Sequence, residues 1–171
     1  AQLEAHHQQI RDAGLTPIQW NVVRRGINPI TELRSLIEVW QIYREYRPDL
    51  VHHIAMKPII YGSLAARLTG IRRVLNAPVG MGFVYSSTSM IARGLRPLLE
   101  LMLRALLNPR GSLVVFENRD DFAAAVSRRL VRADDAILIR GAGVDLTLFA
   151  PAPEPTTRPR VVLIARMLWD K

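Results

Sequence analysis

The chain has 171 residues, is 49% hydrophobic and 22% charged, carries a net charge of +8 and contains no cysteine. This is a globular composition with enough length for one core; it excludes a disulfide scaffold and thiolate metal sites and suits a reducing compartment. The positive charge is nearly all arginine, which favours phosphorylated ligands or acidic lipid surfaces or else forms a plain solvated surface; without a dense basic run, a zinc motif or an RNP-type aromatic pattern, nucleic acid is not an expected partner.

Residues 2–13 are polar and helix-compatible, with Gly14 as the stop; no secretory signal is visible in them, and they read as mid-helix sequence, so an N-terminus upstream of Ala1 is expected. Residues 17–23 alternate as a strand should. Asn28-Pro29 opens a helix in which Leu33, Leu36, Ile37, Trp40 and Tyr43 form one apolar stripe, and Pro48 closes it. A short strand over residues 50–54 leads to a helix from Pro58 to Gly70, whose Gly62, Ala65 and Ala66 allow close packing on a sheet. Residues 73–77 form the next strand. The charge-free run 74–92 is broken by Pro78, Gly80 and Gly82, so its second half is a loop and not a membrane span. A helix follows to about Leu107, interrupted or restarted at Gly94 and Pro97. Residues 112–116 are a buried-type strand. Asn118-Arg119-Asp120-Asp121 has the chemistry of a helix start, and that helix runs to about Leu130. The last strand of the domain, residues 136–139, enters the loop Gly141-Ala142-Gly143.

Strands alternating with helices predict an α/β fold: a Rossmann-like, doubly wound parallel sheet covered on both faces. This domain spans residues 1–149. Residues 150–159, with four prolines, read as a linker, and residues 160–171 as the opening strand of a second domain.

In open α/β sheets ligands bind outside the carboxyl ends of the strands. The candidates placed there are His52, Gly80, Gly82, Glu117, Asn118, Gly141 and Gly143. Tight turns call for the same residue types. None of these loops is the G-x-G-x-x-G or P-loop pattern, which disfavours a nicotinamide or ATP site. His52 and His53, adjacent on a strand, face opposite sides and cannot share one metal ion; no metal site is expected, and His52 is the residue assigned to the cleft. Arg166 and Lys171, at and after a strand end, have the chemistry of a diphosphate clamp, or are two solvated cations. The segment 90–107, rich in leucine and ringed by Arg93, Arg96, Arg104 and Arg110, is either an interfacial helix on anionic lipid or a core helix with solvated arginines.

Taken together, Pro48-Asp49-Leu50-Val51-His52-His53, Lys57-Pro58, Tyr61-Gly62-Ser63, Gly80-Met81-Gly82-Phe83, Phe116-Glu117-Asn118, Gly141-Ala142-Gly143-Val144-Asp145 and Arg166-Met167-Leu168-Trp169-Asp170-Lys171 resemble bacterial glycosyltransferases of family 4. The group is the one that builds capsular and lipopolysaccharide-type surface polysaccharides. The resemblance implies a GT-B architecture of two Rossmann-like domains facing across a cleft. It implies a nucleotide-sugar donor, a polyprenyl-diphosphate-linked saccharide acceptor, and retention of anomeric configuration without a metal or other cofactor. It assigns Arg166 and Lys171 to the donor diphosphate and a location on the inner face of the cytoplasmic membrane. The family's first strand and glycine-rich loop would precede Ala1, and its paired glutamates would follow Lys171, so a piece of a longer enzyme is expected. A sugar-nucleotide epimerase of the same fold, or a non-enzymatic domain binding a membrane or a partner, are the competing readings.

Overall fold

The computed structural model describes residues 2–22, 28–79, 90–141, 143–151 and 153. Its centre is a four-stranded sheet built from β1 (Leu50–Ile54), β2 (Arg73–Ala77), β3 (Ser112–Phe116) and β4 (Ala136–Leu138). The strands lie side by side in chain order, all parallel, with Val51 opposite Val74, Asn76 opposite Val114 and Phe116 opposite Leu138. Each parallel step needs a crossover. Helices α3 (Met56–Thr69), α4 (Met90–Leu106) and α5 (Arg119–Ser127) lie in the three connections, and α1 (Gln2–Asp12) and α2 (Pro29–Tyr46) come before the sheet.

Local chemistry sets the helix ends. Asn28 caps α2 by accepting from the Ile30 amide, and Asn118 caps α5 by accepting from the Asp121 amide at 2.7 Å. Gly70 ends α3 at φ 78, a conformation glycine adopts without steric cost. Helix α5 stops three residues before Leu130, because Arg129 turns to φ 57 and the Leu130 amide bonds back to the Ala125 carbonyl. This swings the Leu130 side chain into the core. Helix α4 runs unbroken through Pro97, so the interruption expected there does not occur.

The main core joins Ile59 of α3, Leu103 of α4, Leu107 just beyond it, Val114 and Phe116 of β3, Ala125 of α5 and Leu130. Burial of each large member contributes roughly 1.5–3 kcal/mol. A smaller cluster, Val51, Ala66 and Val74, lies under Tyr43 and Ile71. Both clusters use the same face of the sheet. On the other face Leu50, Ile54, Leu113 and Ile137 are exposed, so among the described residues the expected helical cover is present on one side.

Two expectations fail for identifiable reasons. Residues 17–22 are not a strand: the Asn21 amide and side chain bond to the Glu38 carboxylate, and the Trp20 indole donates to the Ser35 carbonyl. The segment's polar groups are thus committed to α2 and not to a sheet edge. The apolar stripe on α2 is also displaced. Ser35 and Val39 are buried, Ser35 against Trp20 and Asn21, whereas Leu33 and Ile37 are exposed.

Candidate functional site

The carboxyl edge of the sheet carries the loops that could hold a ligand. The Ile139 amide donates to the Phe116 carbonyl at 2.9 Å, which sets the ends of β3 and β4 side by side. Glu117 and Asn118 are thereby brought next to the loop holding Gly141 and Gly143. Glu117 is exposed. The Asn118 amide is committed to α5: besides capping it, the side-chain NH₂ donates to the Asp121 carboxylate at 2.9 Å. Gly141 and Gly143 take φ 39 and 68, which explains why glycines stand there. Just beyond, Asp145 accepts from the Thr147 amide and hydroxyl, and these bonds hold its carboxyl below the usual range.

At the same edge β1 passes into α3 through Ala55, a non-glycine residue at φ 76 and ψ 164. Its amide donates to the Ala77 carbonyl and its carbonyl accepts from Ile59, so the conformation is held from both sides at a cost of about 1–3 kcal/mol. The next turn presents Lys57, whose ammonium donates to both oxygens of Glu32 at 2.7 and 2.9 Å. Tyr61, one turn on, donates its hydroxyl to the same carboxylate, and Trp20 meets the Tyr61 ring edge-on. Hydrogen bonds from Lys57 and Tyr61 hold the Glu32 carboxyl below its ordinary value; burial and the Glu32 charge push the Tyr61 phenol up. This half-buried cluster ties the starts of α2 and α3 together near the carboxyl edge of the sheet. Sequence reasoning missed Glu32 altogether. Lys57 and Tyr61 stood in conspicuous motifs, but nothing local links them to a residue 25 or more positions earlier.

The two histidines separate as strand alternation requires. His52 lies on the open face of the sheet at mid-strand. His53 is buried and shares a polar network with four elements. Its Nδ1 lies 2.7 Å from Asn76 Oδ1, and its Nε2 2.7 Å from the Tyr43 hydroxyl. The Asn76 NH₂ donates to the Leu107 carbonyl and the Ser63 hydroxyl, which fixes its oxygen toward the imidazole. The proton therefore sits on Nδ1, and Nε2 accepts from Tyr43. Burial lowers the His53 pKa and raises that of Tyr43 to about 12, so both groups are neutral near pH 7. Gly80, Gly82, Arg166 and Lys171 lie outside the described residues. Among the described residues no group of three or more His, Asp or Glu side chains is arranged to hold a metal ion.

A family model described as glycosyl transferase 4-like matches residues 2–117. The chain belongs to that family. The match takes in α2, α3, the Glu32–Lys57–Tyr61 cluster and Glu117, and ends before Gly141 and Gly143. Two characterised relatives of this glycosyl transferase 4-like chain carry informative names. One is the N,N'-diacetylbacillosaminyl-diphospho-undecaprenol alpha-1,3-N-acetylgalactosaminyltransferase of Campylobacter jejuni, 24% identical over 98% of this chain and 48% of its own length. The other is the UDP-Gal:alpha-D-GlcNAc-diphosphoundecaprenol alpha-1,3-galactosyltransferase of Escherichia coli, 27% identical over 75% of this chain and 32% of its own length. The chain thus spans about half the length of the first and a third of the second. Among solved structures, MurG of Acinetobacter baumannii is similar over 82% of this chain and 34% of its own, with 16% identity and a TM-score of 0.44.

Proposed function

We propose that this chain is the acceptor-side part of a glycosyltransferase that moves a sugar from a nucleotide-sugar donor to a saccharide linked through diphosphate to a polyprenol. The observation that carries the reading is the family match over residues 2–117 together with two relatives whose names both specify diphospho-undecaprenol-linked sugars. In this reading the carboxyl edge of the sheet faces the acceptor. The exposed Glu117 accepts hydrogen bonds from sugar hydroxyls, and the glycine loop at Gly141 and Gly143 lets backbone amides approach the ligand closely. Arg166 and Lys171 neutralise the diphosphate as it leaves the donor, configuration is retained, and no metal ion takes part.

The enzyme works at the inner face of the cytoplasmic membrane. Support comes from the charge of +8, from Leu98 and Leu101 exposed along α4 beside Arg104, and from the described helices, none of which is long and apolar enough to cross a bilayer. The test is a transfer assay on the full-length protein with radiolabelled nucleotide sugars and undecaprenyl-diphosphate-linked acceptors. Label should move to the lipid-linked product, and Arg166→Ala or Lys171→Ala should each lower turnover by about 10²–10³-fold at saturating donor. Transfer to no lipid-linked acceptor across the panel would refute the function; near wild-type turnover by both variants would refute the clamp.

A further inference from the structure

The amino ends of the strands, at the opposite end of the sheet from the proposed reaction edge, carry a concentration of arginines. The C-termini of α2 and α3 and the starts of β1 and β2 enclose an open cavity of about 780 Å³, lined by Arg44, Arg47, Arg72 and Arg73 with a single carboxylate, Asp49. A second hollow of about 550 Å³ shares Gly70, Ile71 and Arg72 with it and adds Arg67 and Arg110 without any acid. Among the described residues none of these six arginines has a carboxylate at ion-pair distance. Arg44 lies over the Trp40 ring, 4.8 Å from its centroid, which helps hold one wall in place.

Helix-end compensation does not account for this much charge. The C-termini of α2 and α3 point here, and each contributes about half a negative charge. With Asp49 they offset two of the six arginines, leaving roughly four positive charges spread over the two adjoining hollows, about two of them at the larger one. A cavity of this size matches a compact ligand and not a flat surface. Arginine is also the side chain that grips phosphate with two parallel hydrogen bonds.

We infer that this groove binds a compact soluble molecule carrying several phosphates, separately from donor and acceptor. The assignment of a soluble ligand rests on the proposed function. A bilayer presenting a lipid-linked acceptor to the carboxyl edge leaves the amino edge, about 16 Å away along five-residue strands, facing solvent. The ligand would contact Tyr43, which lines the cavity and is hydrogen-bonded to His53, so occupancy bears directly on the contact between α2 and β1.

Trp40 makes the site observable by fluorescence. Tripolyphosphate, inorganic phosphate, and vesicles of phosphatidylglycerol and phosphatidylcholine are titrated into the purified protein without donor or acceptor, with Trp40→Phe identifying the reporter. Saturable tripolyphosphate binding is expected, with inorganic phosphate weaker by about tenfold or more. The triple change Arg44→Gln, Arg72→Gln, Arg73→Gln should weaken tripolyphosphate about tenfold or more, and the matching triple lysine change should keep measurable binding. Removing the same charge elsewhere, by Arg11→Gln, Arg34→Gln and Arg119→Gln, should change it less than about twofold, since separated surface charges are screened. Arg166→Ala with Lys171→Ala should leave it unaltered. Should the triple glutamine variant lose its circular dichroism spectrum, Arg72→Gln alone replaces it, with weaker tripolyphosphate binding expected. The inference is overturned by equal weakening in groove and control variants, by no change in the groove variants, by loss of binding with the Arg166 and Lys171 changes, or by binding to vesicles and not to tripolyphosphate. None of these readouts uses sugar transfer, so failure here is separate from failure of the proposed activity.

Discussion

Gly62→Ala is the sharpest perturbation of this fold, because the glycine on α3 is where the helix meets the His53 ring. A Cβ at Gly62 would stand 2.5 Å from His53 Cδ2, 2.8 Å from Cε1, and closer still to Nε2. The ring cannot simply turn aside, since Tyr43 holds one nitrogen and Asn76 the other. Overpacking of this kind costs about 1–3 kcal/mol. Displacing the ring also loses two hydrogen bonds worth about 0.5–1.5 kcal/mol each and strands a buried Asn76 oxygen. Against this, alanine favours the helix interior over glycine by only about 0.5–1 kcal/mol. The balance is a loss of about 2–4 kcal/mol, or a fall in Tm of about 10 °C for a chain of this length. Urea and thermal unfolding monitored by circular dichroism measure it. In a His53→Ala background the same change should cost much less, since its steric partner is gone. An unchanged or higher Tm for Gly62→Ala, or equal costs in the two backgrounds, would refute the reasoning.

The buried imidazole makes stability depend on pH: the native state keeps His53 neutral with a lowered pKa, while the unfolded chain takes up its proton below about pH 6.5. Its contribution is therefore complete above that pH and declines as pH falls toward the folded value; urea midpoints between pH 8 and 5.5 should slope less for His53→Gln than for the parent, and parallel slopes would contradict the assignment. Lys57→Met should destabilise by about 1–2 kcal/mol, because Glu32 then keeps a charge that is four-fifths covered with Tyr61 as its remaining side-chain donor among the described residues; a double-mutant cycle with Glu32→Gln checks the coupling, and additivity would show that the pair does not interact. If membrane association is electrostatic, raising the salt to about 1 M, where the screening length is about 3 Å, should release the protein from anionic vesicles. Release by detergent alone would contradict it.

The strand positions were legible from the sequence because each is a short run bounded by turn and helix-stop residues, as in residues 50–54 after Pro48 and residues 73–77 between Gly70 and Pro78. The caps at Asn28 and Asn118 and the stop at Gly70 were legible for the same kind of reason: each depends on bonds within one turn of chain. What the tertiary structure alone decided lies between distant residues. Residues 17–22 alternate like a strand, yet Glu38 and Ser35 of α2 claim their polar groups. Leu33 and Ile37 satisfy helical periodicity, yet Ser35 and Val39 are the residues turned inward. Alternation separated His52 from His53, but only the meeting of α2, α3 and β2 shows that His53 is held by Tyr43 and Asn76. The Glu32–Lys57–Tyr61 cluster and the arginine groove are likewise invisible along the chain, since their members come from separate elements. Periodicity and capping act over one or two turns; which face is buried and which charges converge depends on how those elements pack.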